Sequence, residues 1–229
     1  MDKGEVEIIQ VPQGPVTPSN LAALCNRFRT SRLKALYTYP EAFSSTHADE
    51  SAFPDEKWAE RLQNPMARTY AAVCVENGDT ADDVEKLTNN EWMGMVVLLG
   101  PKVFVPDSTT RYPWEPITAG GMQKEAEGAL RDAEAAYFAV SMFVLPGATK
   151  RGIGQKLIAT MMKGAREDAR AELAWKLHVS LLVESDNETA GRLYERCGFR
   201  HVETESPVKG LGASIALKGM TWNEAFVGE

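Results

Sequence analysis

The sequence predicts an α/β protein with a mixed sheet covered on its faces. Three observations carry this. Strand-like and helix-like segments alternate along the 229 residues. An apolar run at 138–145 passes through a glycine turn into helical spacing at Leu157, Ile158, Met161, Met162, Ala165 and Ala169. A second run at 177–183 passes through Asn187 into helical spacing at Ala190, Leu193, Tyr194 and Cys197. Short β-rich runs read as strands and a recurrence every three to four residues reads as helix. Strands that alternate with helices need helices on the sheet faces.

The elements follow in order. Residues 6–11 form a short first strand and 12–18 a turn. Ser19 or Asn20 caps a helix over 21–37, apolar at Leu21, Leu24, Phe28, Leu33 and Leu36, and Tyr39-Pro40 breaks it. Residues 43–47 are loop-like. Asp55 starts a second helix that Asn64-Pro65 ends. Residues 69–75 are a strand, Asn77-Gly78-Asp79 a turn, 79–90 a long polar hairpin loop and 92–99 the partner strand. Residues 100–136 fit no regular period. Pro101, Pro106, Pro113 and Pro116 break the first half, Gly120-Gly121 follow, and 122–136 favour helix. After the two strand-to-helix segments come a strand at 199–204, a loop at 205–212 and a last strand at 213–221.

Composition bounds the function. With 44% apolar and 25% charged residues, the chain is ordinary for a soluble globular protein. Its length suits one fairly large domain or two small ones, and we expect a single domain over 1–229. No apolar run reaches the roughly 18 residues that span a bilayer, and the N-terminus lacks a signal-peptide core. The expectation is a cytoplasmic or nuclear protein without a membrane partner. Cys25, Cys74 and Cys197 are too scattered for a disulfide framework, and His47, His178 and His201 are isolated, so no metal site follows. A net charge of −7 argues against a nucleic-acid partner, which needs a basic face.

The stretch 138–158 carries the first chemical signal. Pro146-Gly147 ends the strand, and Lys150-Arg151-Gly152-Ile153-Gly154 leads into the helix. The leading N–H groups of a helix have no partner inside it, and the macrodipole puts positive charge there, so an anion can be held. The nucleotide P-loop fails, because Ile153-Gly154 stand where Lys and Ser/Thr are required. The dinucleotide fingerprint fails at its third glycine, where Leu157 stands. A plain strand-to-helix turn satisfies the same residues. The remaining reading is Thr149-Lys150-Arg151-Gly152-Ile153-Gly154 as the pyrophosphate loop [QR]-x-x-G-x-[GA]. The second segment matches N-x-x-A-x-x-x-Y-x-x-x-G-F through Asn187, Ala190, Tyr194, Gly198 and Phe199.

Both motifs, in this order, resemble those of the GCN5-related N-acetyltransferases (GNAT). Residues 35–46 and 58–62 are similar to that family's first two helices, so the resemblance runs from about residue 20 to about 222 and is weakest over 100–136. It implies a GNAT-like, mixed and mostly antiparallel central sheet flanked by helices, with an insertion at about 100–136. It further implies acetyl-CoA as cosubstrate without a metal. Two central strands would part at their C-terminal ends to admit the acyl chain.

Site residues follow from the same resemblance. Thr149, Lys150, Arg151, Gly152, Ile153, Gly154 and Gln155 would hold the diphosphate. Thr149 departs from the Gln or Arg of the pattern, with Lys150 or Arg151 as the substitute donor. Met142, Phe143 and Val144 would align the pantetheine arm. A backbone N–H near Phe143 or Val144 would face the thioester oxygen, where a fixed donor strengthens as charge develops. Asn187 and Ala190 would contact CoA. Tyr194 would contact it too and act as general acid, since a phenol of ordinary pKa about 10 stays protonated at neutral pH. Its bland counterpart is a core tyrosine, and that of Asn187 is simple helix capping. Family members often carry a Glu where Val140 and Ser141 stand. Glu184, on the alternation face of His178 and Ser180, is therefore the first choice of base, beside a plain loop-edge carboxylate or a water chain.

The expected function is acetyl transfer from acetyl-CoA to a primary amine by direct attack in a ternary complex. The expected acceptor is a small molecule such as a polyamine, amino sugar or amino acid derivative. The alternatives are a protein N-terminus or lysine as acceptor, and a non-catalytic acyl-CoA-binding regulatory module. The insertion is either a wall of the acceptor site, with Tyr112, Trp114 and Met122 as contacts, or a surface elaboration. The expected assembly is a monomer or homodimer.

Overall fold

The computed structural model describes residues 4–76, 78–107, 110–119, 121, 123–203, 208–209 and 216–226. The first half of the chain gives β1 (Glu5–Gln10), α1 (Pro18–Thr38), α2 (His47–Ser51), α3 (Asp55–Leu62), β2 (Ala67–Val75), α4 (Asp83–Asn89), β3 (Trp92–Phe104) and α5 (Glu115–Thr118). The second gives β4 (Glu134–Val144), α6 (Ile153–Ala171), β5 (Lys176–Glu184), α7 (Glu188–Arg196), β6 (Arg200–Val202), β7 (Val208–Lys209) and β8 (Ala216–Ala225). The fold is of the expected class: strands in a mixed, mostly antiparallel sheet, flanked by helices. The chain divides into two compact units, Met1–Val97 with Ser141–Ile158 and Leu98–Val140 with Ala159–Glu229. β3, β4 and α6 each begin in one unit and end in the other.

In the first unit the strand order is β1-β2-β3. β1 pairs antiparallel with β2 from Glu5↔Val75 to Gln10↔Tyr70. The apolar run of β2 is buried along almost its whole length. α1 buries Leu24, Phe28, Ala35 and Leu36, and α3 adds Trp58, whose ring meets Phe28 edge-on at 5.7 Å. Burying such aromatic and aliphatic side chains is the dominant favourable term in folding.

The second unit has the order β3-β4-β5-β8-β6, with β7 pairing β8. β4 and β5 are parallel, in register from Glu134↔Lys176 to Ala139↔Leu181. β8 pairs antiparallel with β5, β6 and β7. The parallel pair needs a crossover, and α6 lies between its strands in sequence. The second half of α6 buries Met161, Met162, Ala165 and Ala169, and its Asp168 accepts a hydrogen bond from the Tyr137 hydroxyl.

Several elements differ from the sequence-based expectation. The cap of α1 is Thr17, whose hydroxyl oxygen accepts from the Asn20 N–H at 3.2 Å, because Pro18 takes the first helical position without needing an N–H partner. α2 (His47–Ser51), which no sequence expectation covered beyond His47 at the end of the 43–47 loop, forms under a Thr46 cap. The expected hairpin loop contains α4, capped by Asp82. Arg27 of α1 donates to the Thr88 and Asn89 carbonyls at the far end of α4, satisfying groups that a helix end leaves unpaired. β3 continues through Pro101 to Phe104, and β4 starts at Glu134, so the irregular insertion spans 105–133 rather than 100–136. The helix-favouring stretch yields turns at 127–132 and then strand. Asn77, Gly120, Met122 and 204–207, together with 210–215, lie outside the described residues, and with them most of the expected loop at 205–212 and the start of the expected last strand. Among the described residues no helix is long and apolar enough to cross a membrane.

Candidate active site

The first unit holds the glycine loop. β4 reaches it through Ser141, whose φ of 54° lies in the left-handed region in the middle of a strand. A non-glycine residue there is uncommon and costly, and such outliers cluster at functional sites. Phe143 beyond it is buried, and Met142 and Val144 are half-buried. Leu145 N–H donates to the Met93 carbonyl at 2.8 Å. The strands can close here because Gly94 has no side chain: a Cβ on it would lie 2.7 Å from the Phe143 oxygen. The Tyr39 hydroxyl donates to the Val144 carbonyl at 3.4 Å.

A short 3-10 turn, Pro146–Ala148, follows, then Thr149. The Thr149 hydroxyl donates to the Pro146 carbonyl at 3.0 Å, so this side chain is engaged in its own turn. Lys150 and Gly152 both have left-handed φ, 61° and 74°. Backbone that turns this way presents successive N–H groups as an anion-binding concavity. The Gly152 carbonyl takes the Lys156 N–H at 3.1 Å, so the N–H groups of Ile153, Gly154 and Gln155 lead α6 without an intrahelical acceptor. Lys150, Arg151 and Gln155 are exposed, Ile153 is buried beneath them, and nothing lies within 4 Å of where a Gly152 Cβ would stand. N–H groups without an intrahelical acceptor, a helix terminus, open space at Gly152 and two cations fit a diphosphate.

Sequence reasoning missed the group behind this strand. Arg32 of α1, 4% exposed, donates through Nε and Nη2 to Glu50 of α2, and Arg61 of α3 reaches the same carboxylate at 2.8 Å. Burial alone would raise the Glu50 carboxyl, but Arg32 and then Arg61 outweigh it and hold it below its ordinary value. The Arg32 guanidinium lies 4.5 Å over the Phe43 ring, and Phe43 meets Phe143 edge-on at 6.3 Å. Arg32 Nη1 has no hydrogen-bond partner among the described residues, and the ring face is its compensation. The signal was an arginine set in the apolar stripe of Phe28, Ala35 and Leu36.

The second unit holds the other motif. Asn187 caps α7, its Oδ1 accepting from the Ala190 N–H at 3.1 Å. Gly198, at φ 90°, closes the helix, and Phe199 N–H returns to the Tyr194 carbonyl at 3.0 Å. Tyr194 is buried and packs edge-on against Phe199. Burial, and after it the neighbouring Cys197, pushes its phenol well above the ordinary value of 10. Among the described residues its hydroxyl makes no hydrogen bond. Glu184 is half-buried at the end of β5. His178 shares its alternation face but stands about 20 Å back along the strand. There His178 is bound to Glu134, with Phe104 edge-on at 5.1 Å, so it does not join Glu184. Glu184, Asn187, Ala190 and Tyr194 thus lie in one unit, and 142–144 with 149–155 in the other. Among the described residues no group of three or more His, Cys, Asp or Glu side chains is placed to hold a metal ion.

The insertion packs on the second unit. Trp114, Ile117 and Phe138 form a buried cluster. Tyr112 stacks on Trp114 with ring centroids 4.7 Å apart and planes 4° from parallel. Met122, the third expected contact, lies outside the described residues.

Residues 119–201 match the family model of the acetyltransferase (GNAT) domain. Among solved structures, the chain is similar to Arabidopsis thaliana NAA60 in complex with acetyl-CoA, with a TM-score of 0.54 and 16% identity over 96% of this chain and 98% of that one. The same protein in complex with a bisubstrate analogue gives a TM-score of 0.51 and 16% identity over 97% and 100%. No curated protein sequence matches the chain. At this identity the structural likeness establishes the fold, and the family match covers the loop and both site motifs. Residues 119–201 are thus similar to the acetyltransferase (GNAT) domain, and the fold is the one shared with these structures.

Proposed function

We propose that the chain is an acetyl-CoA-dependent N-acetyltransferase whose two units act as a single domain and whose acceptor is a small primary amine. The observation that carries this is the left-handed Lys150–Gly152 turn opening onto the bare N-terminus of α6. The backbone N–H groups of 152–155 hold the diphosphate, and the cations of Lys150 and Arg151 replace the long donor that Thr149 lacks. Met142, Phe143 and Val144 run along the pantetheine arm, and an N–H of Phe143 or Val144 meets the carbonyl oxygen as it gains charge. Asn187 and Ala190 contact CoA from α7.

The neutral amine attacks the thioester carbon, the C–N bond forms, and the C–S bond breaks as the tetrahedral centre collapses. One proton leaves the nitrogen and one reaches the sulfur. Tyr194, whose phenol burial keeps protonated, is the general acid that gives its proton to the departing sulfur and regains one from water. Glu184 takes the amine proton. Holding both reactants in line supplies much of the rate.

The test is thiol release from acetyl-CoA against polyamines, aminoglycosides, amino acids, arylalkylamines and short peptides, with Tyr194→Phe in parallel. Release with a small-amine class, lost in the variant, is expected. Release with peptides alone would move the acceptor to protein termini. Acetyl-CoA binding without release to any amine would leave a non-catalytic binding module.

A further inference from the structure

The segment between α1 and α2, residues 39–46, touches the end of β4 at two places. The Tyr39 hydroxyl donates to the Val144 carbonyl, and the Phe43 ring meets Phe143 edge-on. The ladder of β4 with β5 ends before this stretch, at Ala139↔Leu181, and Ser141 then leaves extended backbone. Residues 142–144 are therefore placed by β3, at Met93 and Gly94, and by the ring of Phe43. From 40 to 46 Phe43 and Ser45 are half-buried and the other residues exposed, so Phe43 is the apolar anchor of its segment.

What holds that anchor is a cation. The Arg32 guanidinium lies 4.5 Å from the centroid of the Phe43 ring. Arg32 Nε and Nη2 donate to the two oxygens of Glu50 at 3.1 and 2.8 Å, and Arg61 donates to one of those oxygens at 2.8 Å. A planar fork on a carboxylate that is itself pinned has one orientation, which a flexible ammonium would not have. The pair is nearly sealed from solvent, Arg32 at 4% and Glu50 at 1% exposed. A buried ion pair is weak evidence of stabilisation, because apolar residues of similar volume often do as well, so its use is sought in the geometry it fixes. Here that geometry is the place of the Phe43 ring against β4.

We propose that Arg32 and Phe43 are positioning residues for acetyl transfer: Arg32, held by Glu50, sets the Phe43 ring, and that ring sets Phe143 and the backbone N–H that polarises the thioester carbonyl. This rests on the N-acetyltransferase reading, in which 142–144 run along the pantetheine arm. The leverage is large, since a misplacement of about 1 Å at the reacting atoms costs about 100-fold in rate. Neither side chain touches the cosubstrate in this account, so binding and polarisation come apart.

The experiment reads the thioester itself and needs no acceptor. Acetyl-CoA with an isotope label at the acetyl carbonyl is bound to the protein, its carbonyl stretch is recorded by difference infrared spectroscopy, and its affinity is measured by calorimetry. Wild type is expected to lower the stretching frequency relative to free acetyl-CoA, as a fixed donor at the oxygen does. Phe43→Leu keeps apolar volume without the ring, and Arg32→Lys keeps the charge without the fork. Each should return the stretch toward its free value, with affinity within about threefold of wild type. Phe43→Tyr keeps the ring and should keep the lowered stretch. The double variant Phe43→Leu with Arg32→Lys should lose no more than the larger single loss, because both act along one path. A merely structural contribution would lower the thermal midpoint and leave the bound carbonyl as in wild type. If Arg32→Lys fails to fold, the two Phe43 variants carry the test. An unshifted carbonyl in wild type, a wild-type stretch in Phe43→Leu or in folded Arg32→Lys, or equal losses in Phe43→Tyr and Phe43→Leu would overturn the proposal. Failure of the wild type to bind acetyl-CoA at all would instead remove the reading on which it rests.

Discussion

The glycine loop and α7 leave different kinds of group open to a ligand. In the loop, the side chains of Lys150, Arg151 and Gln155 are exposed, Thr149 is engaged in its own turn, and what remains for a ligand is backbone. In α7 the Asn187 side chain caps the helix through the Ala190 N–H, and what remains for a ligand is side chain, the buried phenol of Tyr194. A site made of N–H groups tolerates replacement of most side chains but not of the glycine that shapes it. A site made of a side chain tolerates none of that residue's chemical change, yet little depends on its neighbours.

The largest expected effect strikes the backbone site. Gly154→Glu places a carboxylate among the leading N–H groups of α6, against the diphosphate charge and on the unfavourable side of no backbone constraint, since Gly154 is already helical. Acetyl-CoA binding should be abolished while the thermal unfolding midpoint moves little. Titration calorimetry with acetyl-CoA reads this directly. Retained affinity would show that the diphosphate is held elsewhere, and the contrast between the two regions would fall.

Tyr194→Phe removes one oxygen from the other region. Turnover should fall by about 100-fold, the lower range for a positioned proton donor, with acetyl-CoA affinity within about threefold of wild type. The two variants therefore separate binding from chemistry in opposite directions. Wild-type turnover in Tyr194→Phe would return this tyrosine to a packing role against Phe199.

The two units also bury different ionisable groups, and acid should find them in sequence. In the second unit, burial lowers the His178 imidazole below its ordinary 6.5, although the hydrogen bond to Glu134 opposes it. Below 6.5 the unfolded chain then binds more protons than the folded one, so the contribution present above that pH is lost as pH falls through the lowered value. In the first unit Glu50 is held below its ordinary 4.5 by Arg32 and Arg61 against the opposing effect of burial. Its contribution persists above 4.5 and is lost only as pH falls through its own lowered value. Hydrogen exchange followed from neutral pH downward should show protection around β5 weakening before protection around α1 and α2. Simultaneous loss in both would refute the assignment, and His178→Gln should remove the earlier phase.

These contrasts also explain what the sequence made legible. Both motifs are local. Asn187 caps three residues ahead, Gly198 closes the same helix, and the glycine loop joins neighbouring elements, so spacing alone placed them. The elements that escaped depend on distant partners. α4 has one buried anchor, Leu87, and its last carbonyls are satisfied by Arg27 from α1. β3 passes through Pro101, a residue that reads as a breaker until a sheet is there to receive it. The Arg32–Glu50–Arg61 group needs three helices, of which the short α2 was not expected. Trp114 was visible as a residue, but its seat on Gly219 lies in β8, far along the chain.

Thr149→Ala is the mildest and most discriminating change. Thr149 is where the loop departs from the family pattern, so a side-chain account makes it a weak point whose loss should matter. The backbone account gives it only a turn bond, Oγ1 donating to the Pro146 carbonyl at 3.0 Å on an exposed segment. A hydrogen bond of this kind contributes about 1 kcal/mol to stability, less where water can replace it. Acetyl-CoA affinity should therefore change by less than about threefold, equivalent to under about 0.7 kcal/mol. The same titration on Arg151→Ala should cost somewhat more, because an exposed cation beside the diphosphate acts at short range through water and is screened by salt. A tenfold loss in Thr149→Ala, larger than in Arg151→Ala, would mean that the hydroxyl leaves its turn to meet the ligand, and the loop would then join α7 as a site made of side chains.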